Sequence, residues 1–263
     1  MKAFTDGIVI AKRNLIRNSR MPDVIVAGVM APIMFVLLFA YVFGSAIKIP
    51  GMNYREFLMA GIFTQTILFG SAFSGSGLAL DVQRGIVERF RTLPMSPSAV
   101  LVGRATSDMV TNIVVVVIMT LTGLLVGWRI RSSALEALGG FAVLLLFAYA
   151  MSWVWLVIGL LLRNQEVFNN ASFIIIMPLT FIANTFVASS GLPGPLRVIA
   201  EWNPISAVTS AARQLFGNVA PQLAEGSAWP MREPVTAALL WIVVLLAVFV
   251  PLAVTRYRTA VSK

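Results

Sequence analysis

The sequence predicts an all-α polytopic membrane protein, with six transmembrane helices and both termini on the cytoplasmic side. Three observations lead there. Of 263 residues, 58% are hydrophobic and only 12% charged, where a soluble domain carries roughly 25% charged residues. The apolar residues fall in long runs that match the about 20 residues a bilayer-spanning helix needs. Alternating segments of about ten residues, the mark of membrane barrel strands, are absent, which leaves helices to satisfy the backbone in lipid.

The elements follow in chain order. In residues 1–22, Phe4, Ile8, Ala11 and Leu15 recur at helical spacing, with Lys12, Arg13 and Arg17 on other faces. This pattern suits an amphipathic helix in the cytoplasmic headgroup layer, or a basic tail that only fixes topology. The first apolar run exceeds the 7–15 residues of a signal-peptide core and lacks a small-x-small cleavage site, so it is taken as retained. Residues 23–263 then hold six expected spans: Asp23–Ile47, Phe57–Leu80, Asp108–Trp128, Leu138–Leu162, Ala171–Ser189 and Val235–Thr255.

Between spans two and three, residues 81–97 are too polar to cross a membrane yet are patterned like a helix. Val82, Ile86, Phe90 and Leu93 form an apolar stripe, Asp81, Arg84, Glu88 and Arg91 a charged one, and Pro94 ends the pattern. A membrane protein presents such an element to a soluble partner. Span two closes with small residues, Gly70/Ser74 and Ser71/Gly75, and span three carries Gly123-x-x-x-Gly127. Such faces pack helices closely, within one chain or between two.

The long external segment 190–233 is helical in pattern but interrupted at Pro204 and flanked by Pro193 and Pro195. Two short re-entrant helices in the outer leaflet account for Leu196, Val198, Ile199, Trp202, Ile205 and Val208 better than a solvated loop does.

The net charge of +9 would suggest nucleic acid as the partner of a soluble protein. Here its distribution gives the better account, and no nucleic-acid partner is expected. Thirteen of the 20 Lys and Arg residues lie before span one, between spans two and three, at Arg163 and after span six. By the positive-inside bias these regions are cytoplasmic.

Several chemistries are missing. Without cysteine there is no disulfide or thiolate, and without histidine the usual metal ligand and near-neutral proton carrier are gone. No Gly-Lys dipeptide occurs, so the P-loop is absent. Asp108, at the cytoplasmic start of span three, is an ionisable candidate within a span, and it is expected to pair with Arg104 one turn earlier. No serine-base or paired-aspartate site for intramembrane hydrolysis is evident, nor an ion filter. The chain is therefore not expected to be an enzyme by itself, nor to hold a metal or cofactor.

The spans offer instead a polar and aromatic lining: Gln65, Thr66, Phe69 and Phe73 in span two, with Phe181, Asn184 and Thr185 in span five. Such groups suit a bulky amphipathic ligand; they also serve to glue helices together.

Several segments resemble the permease subunit of type-2 ABC exporters, in the daunorubicin/doxorubicin-resistance branch. They are Glu88-Arg89-Phe90-Arg91-Thr92-Leu93-Pro94-Met95, Ser152-Trp153-Val154-Trp155 with Gly159-Leu160 and Arg163, Pro178-Leu179-Thr180-Phe181, Asn184-Thr185-Phe186-Val187, Leu192-Pro193-Gly194 and Asn203-Pro204-Ile205-Ser206. They occur together, in order, over nearly the whole chain. Two departures, Pro195 after Gly194 and Ala183 before Asn184, lie near the expected outer exit.

The resemblance implies a bacterial plasma-membrane permease working with a second permease, identical or paralogous, and two copies of an ATP-binding cassette subunit that hold ATP and Mg. Residues 81–97 would be the coupling helix, with Arg84, Glu88, Arg89, Phe90, Arg91, Thr92, Leu93 and Pro94 docking on the ATPase. The N-terminal helix would be the connecting helix. A cavity between the two permeases would alternate between inward- and outward-facing, carrying a hydrophobic or amphipathic drug-like compound. The alternatives are a lipid or lipid-linked glycan as cargo, or an ATP-independent secondary transporter.

Overall fold

The 30-residue helix α2, Tyr54–Gln83, is buried along most of its length and forms the axis on which the other helices pack. The computed structural model describes residues 22–43, 51–87, 97–162, 164–187, 189–219 and 228–261. Before α2 comes α1 (Pro22–Leu37), continued by a π-helical turn, Leu38–Phe43. After it come α3 (Pro97–Val126), α4 (Ala134–Leu162), α5 (Gln165–Ile182), α6 (Gly194–Trp202), α7 (Pro204–Leu215), α8 (Trp229–Arg232) and α9 (Pro234–Val261). Regular structure among the described residues is helical throughout. The amphipathic helix expected in residues 1–22 lies outside them, apart from Pro22.

Local signals explain where the helices begin. Asn53 caps α2, its side chain accepting from Arg55 N at 3.0 Å, with Glu56 in the first turn. Ser133 and Glu136 form a reciprocal capping box at α4, Ser133 N donating to Glu136 Oε2 at 2.9 Å. Asn164 caps α5 through Glu166 N and Val167 N. Asn203 caps α7, and Pro204 at its first turn fits there because no N–H is needed. The expected break at Pro204 is thus the junction of α6 and α7.

Among the described residues, α2, α3, α4 and α9 are long and apolar enough to cross a membrane. Of the two other expected spans, the first is helical from Pro22 to Phe43, where its described residues end. In the fifth, α5 starts at Gln165, with Glu166, Asn169 and Asn170 in its first two turns, contains Pro178 and stops at Ile182, so it ends before the expected Ser189. Its 18 residues measure about 27 Å.

α4 packs along α2, α9 leans on α4 and α7, and α3 flanks α2 and α4. A close seam runs between α2 and α4. A Cβ on Gly75 would collide with the Trp155 carbonyl and the Phe168 ring, and one on Gly159 with the Gly75 backbone. Gly70 and Gly123 likewise face Asn112 and Met59, so these small residues serve packing within the chain.

The apolar core has two parts. At the end where α7 lies, Phe63, Trp128, Phe141 and Phe216 form one cluster with centroids 4.9–6.2 Å apart. At the end where α2 turns towards α3, Leu78, Val100, Leu101, Trp153, Leu156 and Tyr257 form the other.

Candidate functional site

The sequence-predicted docking residues begin at Arg84, just past the end of α2. Its backbone N–H donates to Leu80 O at 3.0 Å, closing the helix, and Gly85 follows at φ 66°, a left-handed conformation that breaks the helical stripe expected from Val82 to Ile86. The Arg84 side chain is exposed. Glu88, Arg89, Phe90, Arg91, Thr92, Leu93 and Pro94 lie outside the described residues. Asp81–Gln83 form the last turn of α2, and Pro97 opens α3.

A cleft of about 440 Å³ adjoins Arg84, lined by Leu80, Gln83, Arg84, Asn164, Gln165 and Glu166. It places the start of α5 beside the end of α2. Gln165 bridges the two through Gln83 Oε1 at 3.4 Å and Ser76 Oγ at 3.3 Å.

Behind the cleft lies a buried polar network between α2 and α3. Arg104 donates to Asp81, both side chains being about 95% or more buried, and Ser74 donates to Asp108. Arg104 thus forms an ion pair across to Asp81 of α2, a partner the sequence did not indicate. Asp81, read from sequence as part of a charged stripe, is an interior residue. Asn112 Nδ2 donates to the Asp108 carbonyl at 3.0 Å. Buried charges persist in an apolar bundle only when paired and hydrogen-bonded, and α2 and α3, which flank the expected docking segment, are thereby fixed to one another.

The residues expected to line a cargo path divide between three environments. Gln65 and Thr66 are buried in the bundle, and Gln65 Nε2 has no hydrogen-bond partner among the described residues. Phe69 packs on Phe173 at 6.4 Å, while Phe73 and Phe181 are half-exposed on the outer surface of the helices. Asn184 and Thr185 lie in the turn after α5, clamped under α7. Asn184 N donates to Ser206 Oγ at 2.9 Å, and Thr185 Oγ1 donates to Thr180 O.

That clamp centres on Arg213, a residue that no sequence motif singled out. Its side chain is buried, with Nε donating to Phe57 O and Nη2 to Thr185 O, each at 2.9 Å. Its guanidinium lies 3.5 Å from the centroid of the Phe57 ring. The only trace of this role in sequence is an arginine ending a helix of small and apolar residues.

Beside it, Arg131 donates twice to Glu56 Oε1, at 2.9 and 2.7 Å. The Glu56 hydrogen bond and charge hold the exposed Arg131 guanidinium above its ordinary pKa. The α3–α4 connection is stitched to the end of α7: Arg131 N donates to Phe216 O at 2.9 Å, Ser132 Oγ to Leu215 O at 2.6 Å and Trp128 Nε1 to Asn218 Oδ1 at 2.8 Å.

Comparison with known proteins adds the following. Residues 6–216 match the family model described as ABC-2 type transporter. A daunorubicin resistance ABC transporter permease protein of Streptomyces coeruleorubidus is 30% identical over 246 residues, covering 94% of this chain and 83% of the relative. A probable doxorubicin resistance ABC transporter permease protein of Mycobacterium tuberculosis is 23% identical, covering 94% and 86%. A putative transport permease of Cyanophora paradoxa is 24% identical, covering 80% and 73%.

Proposed function

The chain belongs to the ABC-2 type transporter permease family, and from that premise we propose that it is the membrane half of an ATP-driven exporter. The observation that carries this is the similarity to a drug-resistance permease over 94% of the chain. Six spans, cytoplasmic termini and a bacterial plasma membrane complete the assignment, with α1 and α5 as the two shorter crossings.

Hydrolysis belongs to a separate ATP-binding cassette subunit, present in two copies, which holds ATP and Mg. A second permease, the same chain or a paralogue, completes the path. The docking element is the segment from Arg84 to Pro94. Phe90 and Leu93 fill a groove on the ATPase, as buried anchors do, and Arg89 and Arg91 bond its acidic or carbonyl groups. ATP-driven closure of the partner dimer displaces this segment, and α2 and α3 tilt with it. A cavity between permeases, served by Gln65, Thr66, Phe69, Phe73, Phe181, Asn184 and Thr185, then changes its opening from one side to the other.

The half-exposed rings of Phe73 and Phe181 favour a compact amphipathic cargo, in keeping with the drug-resistance names of two relatives. Nucleotide needs to shift the two-state balance by only a few kcal/mol.

The test is the double variant Phe90→Ala/Arg91→Ala in the complex with its ATPase, assayed in lipid discs. Two lost anchors, each worth about 2 kcal/mol and not strictly additive, are expected to weaken association between ~30-fold and ~1,000-fold and abolish drug-stimulated hydrolysis. Full coupled activity in the variant would refute the docking assignment. Stimulation by lipid and not by drug would make a lipid the cargo, and transport collapsed by an uncoupler yet indifferent to vanadate would make the chain a secondary transporter.

A further inference from the structure

We infer that Arg213 is a positioning residue that makes α2, the turn 183–187 and α7 move as one body, so that displacement of α2 at its Arg84 end reaches the α6–α7 helices. The inference rests on the exporter assignment, since it concerns what the docking segment drives.

Three elements meet on one guanidinium. Nε is bonded to Phe57 O of α2 and Nη2 to Thr185 O of the turn, both at 2.9 Å. When the Asn184 amide is turned to satisfy its neighbours, its oxygen also accepts from Nη1 at 3.3 Å. The Phe57 ring covers the cation at 3.5 Å. Among the described residues no carboxylate forms an ion pair with Arg213. An ionised arginine in such a site is held by carbonyl dipoles and a ring face, whose directions are fixed by the backbones that carry them. Lysine is a poor substitute, because its point charge lacks the planar fork.

The seam around Arg213 is built to resist sliding. At Gly61 the Thr185 carbonyl occupies the space of a Cβ, so α2 and the turn touch backbone to backbone. Tyr54 Oη donates to Phe186 O at 3.3 Å, Asn184 N to Ser206 Oγ at 2.9 Å and Asn203 Nδ2 to Leu179 O at 2.9 Å. Apolar faces can shift by small steps, but a buried set of directional bonds holds one arrangement or breaks. At the other end of α2 the Arg104–Asp81 pair fixes it to α3. α2 is therefore a rod held at both ends: the docking segment hangs from one end, and the other is bolted to α7.

The experiment uses the permease–ATPase complex in lipid discs, with and without ATP and vanadate, read by hydrogen exchange and by transport per ATP hydrolysed. In the wild type, exchange is expected to change both at 77–87 and at 183–187 with 204–215. In Arg213→Gln the change at 77–87 persists, the change at 183–187 and 204–215 is lost, and transport per ATP falls at least about ten-fold, or about 1.4 kcal/mol of coupling. If Arg213→Gln does not assemble, Arg213→Lys and Phe57→Leu carry the same expectation at about three-fold.

A wild-type change at 77–87 alone, or variants with unaltered exchange and unaltered transport per ATP, would overturn the inference while leaving the exporter assignment standing. No nucleotide-dependent change at 77–87 in the wild type would overturn both.

Discussion

Gly61 stands where α2 passes the turn that follows α5, and the Thr185 carbonyl fills the place a Cβ would take. A methyl group there must displace backbone on one side or the other, which costs typically about 1–3 kcal/mol. Gly61→Ala is therefore expected to unfold at a lower temperature in detergent. Gly139→Ala is the matched control, since its Cβ would meet only Leu215 at 3.7 Å, an ordinary contact. Equal midpoints for both variants would show that the seam yields. At this scale the sequence tells the kind of residue but not the side it faces. Gln65 and Phe73 carry the same expectation as lining residues, yet one is buried and the other half-exposed. In lipid the outer face is as apolar as the core, so hydropathy does not separate the two.

Among the elements, α2 and α3 show how much depends on one buried pair. Arg104→Glu would leave carboxylates facing one another in a closed site, and breaking a buried pair costs about 3–5 kcal/mol. A steep loss of monodisperse protein on extraction is expected. The exchanged pair Asp81→Arg/Arg104→Asp should recover part of it, and a double variant no better than the single one would deny the pairing its structural role. The start of α7 was legible because its signal, Pro204, is local; the spans drawn on apolar runs began late, at Asp108 against Pro97 for α3 and at Leu138 against Ala134 for α4. That Arg104 pairs with Asp81 was not legible, because α3 offers Asp108 at helical spacing and nothing in the chain's order reveals that Asp81 lies across the gap. The end of α5 was hidden for a similar reason. Residues 183–187 read as a continuing apolar helix, but Ala183 is extended and the bonds that hold the turn come from α2 and α7.

For the molecule as a whole, fold class followed from composition and run length, which do not depend on tertiary contacts. How the helices sit against lipid is a separate matter, and the tryptophans can report it. Trp128 and Trp155 are fully buried, whereas Trp202 and Trp229 are about half-exposed at the α6–α8 end. If α6 to α8 rest in the outer leaflet, single-tryptophan variants retaining Trp202 or Trp229 should be quenched by brominated lipid, and those retaining Trp128 or Trp155 should not. Quenching of Trp202 by acrylamide alone would instead place that segment in water.

The stitching of the α3–α4 connection to the end of α7 bears on how the chain is made. Trp128 and Asn218 are 90 positions apart, and Ser132 and Leu215 are 83 apart. During synthesis α2, α3 and α4 are complete long before their partners at 215–218 leave the ribosome. Until then the faces of Phe63, Trp128 and Phe141 wait without Phe216. The first half of the protein is a hairpin assembly with an open end, closed by a segment translated after α5, so any chaperone or insertase that attends this chain has its longest task there.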